Sequence, residues 1–258
     1  MEMKNRPEIP EEKIFEIKRS TKKIDFTQPY KFIYFDFWFH LLTLPIFLLC
    51  YTLATFCRFF FGLRVVGCRN KQILPKRGCL TISNHCHYFD TVFAGLTVFP
   101  KRLYISVVQR NFEVPIVRSL LRVLRAFPIP ANRVGLRLIT EPIGEALRRG
   151  YHVHFLPEGE LVHLSQTIYR FRLGAFYQSY LHQAPILPMV YVFKRRRLFG
   201  KELGPNWIKM TLVFGEPIYP PKPRENQNFP KEDLSRMSET AAVWMERILA
   251  EHHGERPA

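Results

Sequence analysis

Residues 79–98 read CLTISNHCHYFDTVFAGLTV. The first five residues form a short apolar run that is typical of a buried strand. The last nine residues, 90–98, have the apolar spacing of a helix that begins with an acidic residue, Asp90. A strand that leads through a short polar loop into a helix is the basic unit of an α/β fold, so this segment predicts one.

The same alternation continues on both sides of this segment. Short apolar runs predict strands at 64–68, 79–83, 103–108, 126–129, 152–156, 186–192 and 209–214. Helical spacing predicts helices at 90–98, 115–125, 133–149, 174–182 and 231–251. We therefore predict an α/β fold with a mixed, largely parallel sheet that is flanked by helices.

Length and composition limit the class of protein. The chain has 258 residues, 47% of them hydrophobic, and contains 23 Phe. This composition excludes a disordered chain, and the length suits one domain with an appendage. The five Cys lack the spacing of a disulfide framework, which favours a reducing compartment.

A long apolar segment precedes the predicted α/β domain. The 21 residues from 37 to 57 contain no Asp, Glu, Lys or Arg, and about 20 apolar residues are enough to cross a bilayer. Pro45 and the aromatic residues near its start also fit a helix or helical hairpin that lies in one leaflet. A buried core helix is the third alternative. We predict membrane association.

The chain is thereby divided into three parts. Residues 1–31 form a polar N-terminal arm of mixed charge, with a short helix near 14–18, and this arm is not a secretory signal peptide. Residues 32–61 form the membrane-anchoring segment, and residues 62–258 form the α/β domain.

The positive charge of the chain is concentrated in two segments. The formal net charge is +16 at pH 7. Residues 101–149 contain ten Lys or Arg and three Glu, and residues 161–201 contain seven Lys or Arg and no acidic residue. Such a balance indicates an anionic partner, which is a nucleic acid, an anionic bilayer or a phosphorylated substrate.

The first group of residues able to do chemistry lies in the loop after the strand at 79–83. His85 and Asp90 are five residues apart, so they cannot share one face of a continuous helix. They can meet if His85 lies in the loop and Asp90 in the first helical turn. A carboxylate that is hydrogen-bonded to one imidazole nitrogen makes the other nitrogen a better base. Such a base can activate a hydroxyl of the substrate directly, so the reaction needs no nucleophile from the protein.

The second group follows another predicted strand. Residues 155–160 read FLPEGE and end the strand at 152–156. Ligands bind at the carboxyl ends of strands in open α/β sheets, so Glu158 and Gly159 are expected at the same edge as His85.

Together these two boxes resemble the glycerolipid acyltransferase family of the 1-acylglycerol-3-phosphate type. The resemblance consists of an Asn-His-x4-Asp box at 84–90 and, about 70 residues later, a Phe-x-Pro-Glu-Gly box at 155–159. Four further segments resemble the family in the same order along the chain, at 127–133, 171–176, 184–190 and 215–218.

The resemblance implies transfer of an acyl group from a thioester, acyl-CoA or acyl carrier protein, to a hydroxyl of a lysophospholipid. It implies His85 as general base and Asp90 as its orienting partner. It assigns substrate binding to a further set of residues, Asn84, Arg133, Glu158, Gly159 and Arg172. The backbone N–H groups near 157–159 would stabilise the oxyanion. No cofactor is implied, because the thioester is a co-substrate.

The third box departs from the family pattern. Glu160 and Leu161 stand where the family usually has Thr and Arg, and that Arg binds the phosphate of the acceptor. Arg170 or Arg172 is a possible replacement. The alternatives are an acceptor other than 1-acylglycerol-3-phosphate, and a catalytically altered lipid-binding scaffold. The resemblance also implies a catalytic domain on the cytoplasmic side of an anionic membrane.

Two other readings remain for particular residues. Histidines and a cysteine suggest a metal site at His85, Cys86, His87, His152 and His154, but their spacing does not match a structural zinc site. The basic run at 194–197 is compatible with nucleic acid. The apolar segment argues against a nucleic-acid-binding protein, so we expect no nucleic acid. Because of the histidine and cysteine spacing, we expect no metal.

Overall fold

A computed structural model describes residues 6–10, 23–72, 77–199, 201–204, 207–223 and 230–253. The predicted helix near 14–18 lies outside these residues. The described helices are α1 Phe37–Phe60, α2 Arg69–Gln72, α3 Asp90–Val98, α4 Gln109–Phe112, α5 Pro115–Val123, α6 Arg133–Leu138, α7 Thr140–Arg148, α8 Gly174–His182 and α9 Lys231–His253. The described strands are β1 Arg64–Val66, β2 Leu80–Ser83, β3 Leu103–Val108, β4 Ala126–Ile129, β5 His152–Phe155, β6 Ile186–Arg195, β7 Arg197–Leu198, β8 Lys201–Glu202 and β9 Ile208–Phe214.

Seven strands form one sheet in the order β1-β9-β6-β2-β5-β3-β4. Neighbouring strands are parallel throughout, except that β6 and β9 are antiparallel. The prediction of a mixed, largely parallel sheet flanked by helices is therefore confirmed. The parallel pairing of β2, β5 and β3 brings the carboxyl ends of these three strands to one edge, where the predicted site residues follow them.

The middle of the sheet is buried on both faces. In β6, Leu187 and Met189 pack in a core with α1 and α3, whereas Ile186 and Val190 pack in a core with α7, α8 and α9. Because side chains alternate along a strand, a strand buried on both faces must be apolar at nearly every position. This explains the continuous apolar runs from which the strands were predicted.

The predicted elements differ from the observed ones in several places. The short helices α2 and α4 were not predicted. The predicted helix at 133–149 is two helices, α6 and α7, and Pro142 lies in the first turn of α7. Proline has no N–H, so it cannot continue the hydrogen bonds of α6. The short pair β7 and β8 was not predicted, because both of its strands are charged and exposed.

Helix α1 is one continuous helix of 24 residues that contains Pro45, and the hairpin alternative is wrong. Within the described part of the chain, it is the helix that is long and apolar enough to cross a membrane, and 6% of its most apolar window is buried. One side of α1 nevertheless packs on the domain, where Ala54 is buried and Tyr51 and Cys57 contact the core. The buried-core alternative therefore does not describe this helix.

The residues just before α1 also pack against the domain. Phe26, Phe32 and Ile33 belong to the core on the α7–α9 face. Farther upstream, the buried Arg6 guanidinium pairs with Glu239 and Glu246 of α9, at 2.5 and 2.7 Å. The predicted three-part division of the chain stays a prediction, but the chain on both sides of α1 contributes to one core.

We predict that Gly78→Ala destabilises the fold. A Cβ at Gly78 would lie 1.8 Å from the carbonyl oxygen of Tyr151, so the start of β2 would have to shift. Such overpacking of a buried position costs about 3 kcal/mol of unfolding free energy. Chemical denaturation of the detergent-solubilised protein measures this cost.

The matched control for this prediction is Gly174→Ala. A Cβ at Gly174, the first residue of α8, meets nothing within 4 Å. We expect an unchanged or slightly raised unfolding free energy for it, because alanine favours helix more than glycine does. Equal stability of the two variants would contradict the close approach of β2 and Tyr151.

Candidate active site

The candidate active site lies at the carboxyl edge of the sheet. Three loops meet there, because β2, β5 and β3 are adjacent and parallel. The loop after β2 carries His85, the turn after β5 carries Glu158 and Glu160, and Arg110 follows β3 directly. Residues far apart in the sequence are thus placed together by strand order.

His85 and Asp90 form the hydrogen-bonded pair that their spacing predicts. The distance from His85 Nδ1 to Asp90 Oδ2 is 2.7 Å, with Asp90 fully buried and the His85 side chain 19% exposed. Asp90 begins α3, and its carboxylate also accepts from the N–H groups of Cys86, His87 and Thr91 at 3.2, 3.3 and 2.6 Å. Because Nδ1 is bonded to Asp90, Nε2 is the ring nitrogen that can act on a substrate.

The charge of Asp90 also sets the basicity of His85. Burial is the largest single influence on the pKa of the His85 imidazole and lowers it, but the nearby carboxylates together outweigh burial and raise this pKa above its usual value, Asp90 foremost through its charge and its hydrogen bond. Glu158 and Glu160 add smaller effects in the same direction. His85 is therefore a stronger base than an isolated imidazole.

Glu158 holds the backbone of the site. Its buried carboxylate accepts from the N–H of His85 at 3.0 Å and from the N–H of Tyr169 at 3.0 Å. Burial raises the pKa of Glu158 to about 7, against the effect of these two donors. The side chain therefore joins the turn after β5 to the loop of His85, and both of its oxygens are engaged by the protein.

Gly159 allows the turn after β5 to form. Its φ of +86° is accessible to glycine, and a Cβ there would lie 2.9 Å from Nε of Arg172. The Gly159 N–H donates to the carbonyl of Leu156 at 3.0 Å, and Pro157 has no N–H. Within 157–159, the Glu158 N–H is therefore the group on which our expectation of an oxyanion donor rests, and that expectation stays a prediction.

Asn84, which the resemblance assigns to substrate binding, is hydrogen-bonded to the protein backbone. Its amide donates to the carbonyl of Tyr191 at 3.1 Å and accepts from the Tyr191 N–H at 2.8 Å. The side chain is buried, so both of its polar groups serve to join the loop after β2 to β6. This geometry supports a role for Asn84 in positioning the loop, instead of the predicted contact with the substrate.

The two predicted arginines lie in different surroundings. Arg172 is exposed and its side chain lies over Gly159, within the candidate site. Arg133 is exposed at the first residue of α6 and is not among the residues that line the cavity containing His85, so its place in one cleft with His85 stays a prediction. Arg170 is bonded to Glu8 at 2.7 Å.

Arg110 is a site residue that the sequence reasoning missed. Its guanidinium pairs with Glu160, and both residues line the cavity that contains His85. The signal was present, because Arg110 directly follows the predicted strand at 103–108 and must reach the same edge as His85. Glu160, which departs from the family pattern, is thereby neutralised by a residue of α4, the short helix that follows β3.

Two cavities adjoin at this edge of the sheet, and His85 lines one of them. One has a volume of about 260 Å³ and contains His85, Arg110 and Glu160. The other has a volume of about 290 Å³, lies between α1, α3, α5 and β3, and is mainly apolar. They share the wall residues Tyr88, Thr91, Val107 and Leu121. A chamber that holds the base and a few polar groups therefore adjoins an apolar chamber able to take an alkyl chain.

The histidines considered as metal ligands have protein partners. His152 Nδ1 accepts from the N–H of Cys79 at 3.1 Å. His154 is fully buried between the hydroxyls of Thr81 and Ser83, and burial lowers its pKa to about 4. In the part of the chain that the structure describes, no group of three or more His, Cys, Asp or Glu is arranged to hold a metal ion.

Comparison with known proteins shows the family. A model of the acyltransferase family matches residues 65–192, which include both boxes. The chain is 27% identical over 151 residues to the 1-acyl-sn-glycerol-3-phosphate acyltransferase of Bacillus subtilis (strain 168), a match that covers 58% of this chain and 72% of that protein. The chain belongs to the glycerolipid acyltransferase family.

The fold of this acyltransferase resembles a solved one. The crystal structure of the 1-acyl-sn-glycerophosphate (LPA) acyltransferase PlsC from Thermotoga maritima matches with a TM-score of 0.50 and 18% identity, over 76% of this chain and 73% of that chain. A further match, 31% identical over 112 residues, to the voltage-dependent L-type calcium channel subunit alpha-1S of Aquarana catesbeiana covers 7% of the channel subunit and supports no assignment. The predicted family and O-acyltransferase class are confirmed.

We predict that Asp90→Asn weakens the base and shifts its pH dependence. Loss of the carboxylate removes the influence that raises the His85 pKa, so this pKa falls. A general base acts when neutral, so the acidic limb of the pH–rate profile should move to lower pH. The maximal rate should fall about 10²- to 10⁴-fold, the usual contribution of a positioned base. A pH series of acyl transfer measures both effects.

The control for this prediction is His163→Ala, which removes an exposed imidazole stacked on Tyr88 at 4.9 Å between ring centroids. We expect nearly unchanged rates for this variant. His85→Ala should lose activity to the same extent as Asp90→Asn. An Asp90→Asn enzyme with the wild-type pH profile would contradict the assignment of His85 as the base.

Proposed function

We propose that the protein transfers an acyl group from an acyl thioester to the free hydroxyl of 1-acylglycerol-3-phosphate in phospholipid biosynthesis. The observation that carries this proposal is the His85–Asp90 pair, because His85 lines a cavity that also holds Arg110 and Glu160 and that adjoins an apolar cavity. The names of the Bacillus subtilis and Thermotoga maritima relatives support the same acceptor.

The proposed reaction needs no nucleophile from the protein. His85 Nε2 removes the proton of the acceptor hydroxyl as that oxygen attacks the thioester carbonyl. A C–O bond forms and a tetrahedral oxyanion results. The oxyanion collapses, the C–S bond breaks, and the leaving thiolate takes the proton back from the imidazolium. Asp90 stabilises the imidazolium and holds its ring in place.

The acceptor phosphate needs a cationic partner, since Leu161 replaces the usual arginine. Two guanidinium groups flank the turn after β5, Arg172 over Gly159 and Arg110 paired with Glu160. Arg172 makes no ion pair within the described residues, so it is the side chain available to a phosphate. Guanidinium groups suit phosphate oxygens because they donate two parallel hydrogen bonds.

The alternative acceptor, one without a terminal phosphate, was favoured at the sequence level by Glu160. In the structure, the Glu160 carboxylate pairs with Arg110 and is therefore not free to bind an amine of the acceptor. This pairing favours 1-acylglycerol-3-phosphate over the alternative. The donor is either acyl-CoA or acyl carrier protein, and both are anionic.

The membrane position that we propose follows from the two sides of α1. One side forms a wall of the apolar cavity, through Phe47, Tyr51 and Ala54, and the other is exposed and apolar. A helix packed along the domain in this way lies within one leaflet, because a perpendicular span would draw the domain into the bilayer. All five cysteines are free, which supports a cytoplasmic domain.

We predict that Arg172→Gln impairs use of a phosphate-bearing acceptor. The loss of one charge-assisted hydrogen bond costs about 1.5–3 kcal/mol, which is roughly 10- to 150-fold in KM. Acyl transfer to 1-acylglycerol-3-phosphate should show this rise in KM, whereas transfer to monoacylglycerol should be unaffected. Steady-state kinetics with both acceptors and one acyl-CoA provide the measurement.

Arg236→Gln is the matched control, since it removes an exposed arginine of α9 that lies on the other side of the molecule from α1. It should leave both KM values unchanged. A wild-type enzyme that prefers lysophosphatidylcholine or monoacylglycerol to 1-acylglycerol-3-phosphate would overturn the proposed acceptor, while loss of all transfer in His85→Ala would still support an active acyltransferase.

A further inference from the structure

The basic run at 194–197 is not explained by the active site. It ends β6 and leads into β7, which pairs antiparallel with β8 through Arg197–Glu202 and Leu198–Lys201. We name residues 194–199 and 201–204 the basic hairpin. None of its residues lines either cavity at His85.

The basic hairpin exposes large apolar side chains. Phe199 is 97% exposed, Leu198 is 53% exposed and Leu203 is 41% exposed. Trp207, which follows the hairpin and precedes β9, is 46% exposed. A soluble surface loop rarely exposes so many large apolar groups side by side, and such a patch marks an interaction site.

The same hairpin carries a strong positive charge. Five cationic residues lie within it, at Lys194, Arg195, Arg196, Arg197 and Lys201. Glu202, its one acidic residue, pairs with Arg195 at 3.0 Å and with Arg197 at 3.7 Å. Lys and Arg beside exposed aromatic and aliphatic groups are the composition that binds the interface of an anionic bilayer.

Direct contacts place the hairpin at the end of α1. The rings of Trp207 and Phe60 lie 5.6 Å apart, and the Arg196 guanidinium lies 5.7 Å from the Phe60 ring centroid. The same guanidinium bonds to the Phe60 carbonyl and, through Nε, to the carbonyl of Ile208 at 3.1 Å. The hairpin is therefore fixed to α1 by contacts at its base.

Phe60 belongs to the exposed face of α1. Leu49, Leu53, Phe56 and Phe60 recur at the helical spacing i, i+4, i+7, i+11, and each is at least half exposed. The contact between Phe60 and Trp207 therefore joins this helical face to the apolar side chains of the hairpin. One continuous apolar surface results, with a basic end.

We propose that the basic hairpin is a second membrane-binding element, with an anionic bilayer as its partner. Phe199 and Leu198 enter the head-group region, and the Lys and Arg side chains bind lipid phosphates beside the end of α1. The inference rests on the proposed position of α1 in one leaflet. The apolar side chains of the hairpin are continuous with the exposed face of α1. This favours a bilayer over nucleic acid, because a nucleic acid would make no favourable contact with an aliphatic face.

Single-tryptophan variants test this proposal in nanodiscs whose lipid chains are brominated near the head groups. Trp38→Phe/Trp244→Phe leaves Trp207 as reporter of the hairpin, and Trp207→Phe/Trp244→Phe leaves Trp38 as reporter of α1. In phosphatidylglycerol-containing nanodiscs, bromination should lower the emission of each reporter roughly two-fold, because interfacial groups lie about 5–10 Å deep. Without anionic lipid, quenching of Trp207 should weaken.

Added substitutions separate the hairpin from α1. Leu198→Ser/Phe199→Ser should remove most of the Trp207 quenching and leave the Trp38 quenching unchanged. The matched control is Leu181→Ser/Val243→Ser, at exposed apolar residues of α8 and α9, and it should alter neither signal.

Three results would overturn the proposal. The first is that Trp207 is not quenched in a protein whose Trp38 is quenched. The second is that the quenching of Trp207 survives Leu198→Ser/Phe199→Ser. The third is that a single-stranded RNA, when added, abolishes the quenching of Trp207. If Trp38 itself is not quenched, the position of α1 is wrong and the hairpin has no neighbouring bilayer.

Discussion

The architecture of the site depends on one buried carboxylate. Asp90 begins α3 and binds three groups of the loop between β2 and α3, the imidazole of His85 and the N–H groups of Cys86 and His87. It also binds the N–H of Thr91 in α3. A buried charge is costly unless it is fully hydrogen-bonded, so the loop can adopt few other conformations. The same contacts that satisfy the carboxylate also orient the base.

Much of the fold could be predicted, for a physical reason. Central strands buried on both faces are continuous apolar runs, and β3, β4, α3 and α8 were predicted at their observed bounds. Where burial does not dictate the residues, prediction failed. The strands β7 and β8 are exposed, and the break between α6 and α7 depends on a single proline, Pro142, in a segment with helical spacing on both sides.

The site was predictable where sequence neighbours interact, and less so where strands bring distant residues together. The contact of His85 with Asp90 follows from a five-residue spacing, and Glu158 reaches His85 because parallel strands share an edge. The pairing of Arg110 with Glu160 and the bonds of Asn84 to Tyr191 depend on strand order and on side-chain direction. Arg133 was placed by resemblance alone, at the exposed first residue of α6.

The chain on both sides of α1 is built into the same domain. Phe26, Phe32 and Ile33 lie in the core just before the helix, and Leu63 lies in the core just after it. A membrane helix held in this way cannot act as a flexible tether. With α1 in the leaflet, the domain cannot swing away from the lipid surface, and His85 stays at one fixed depth. On the proposed function, lipid acceptors would therefore diffuse laterally to the enzyme, and only the acyl donor would approach from the water.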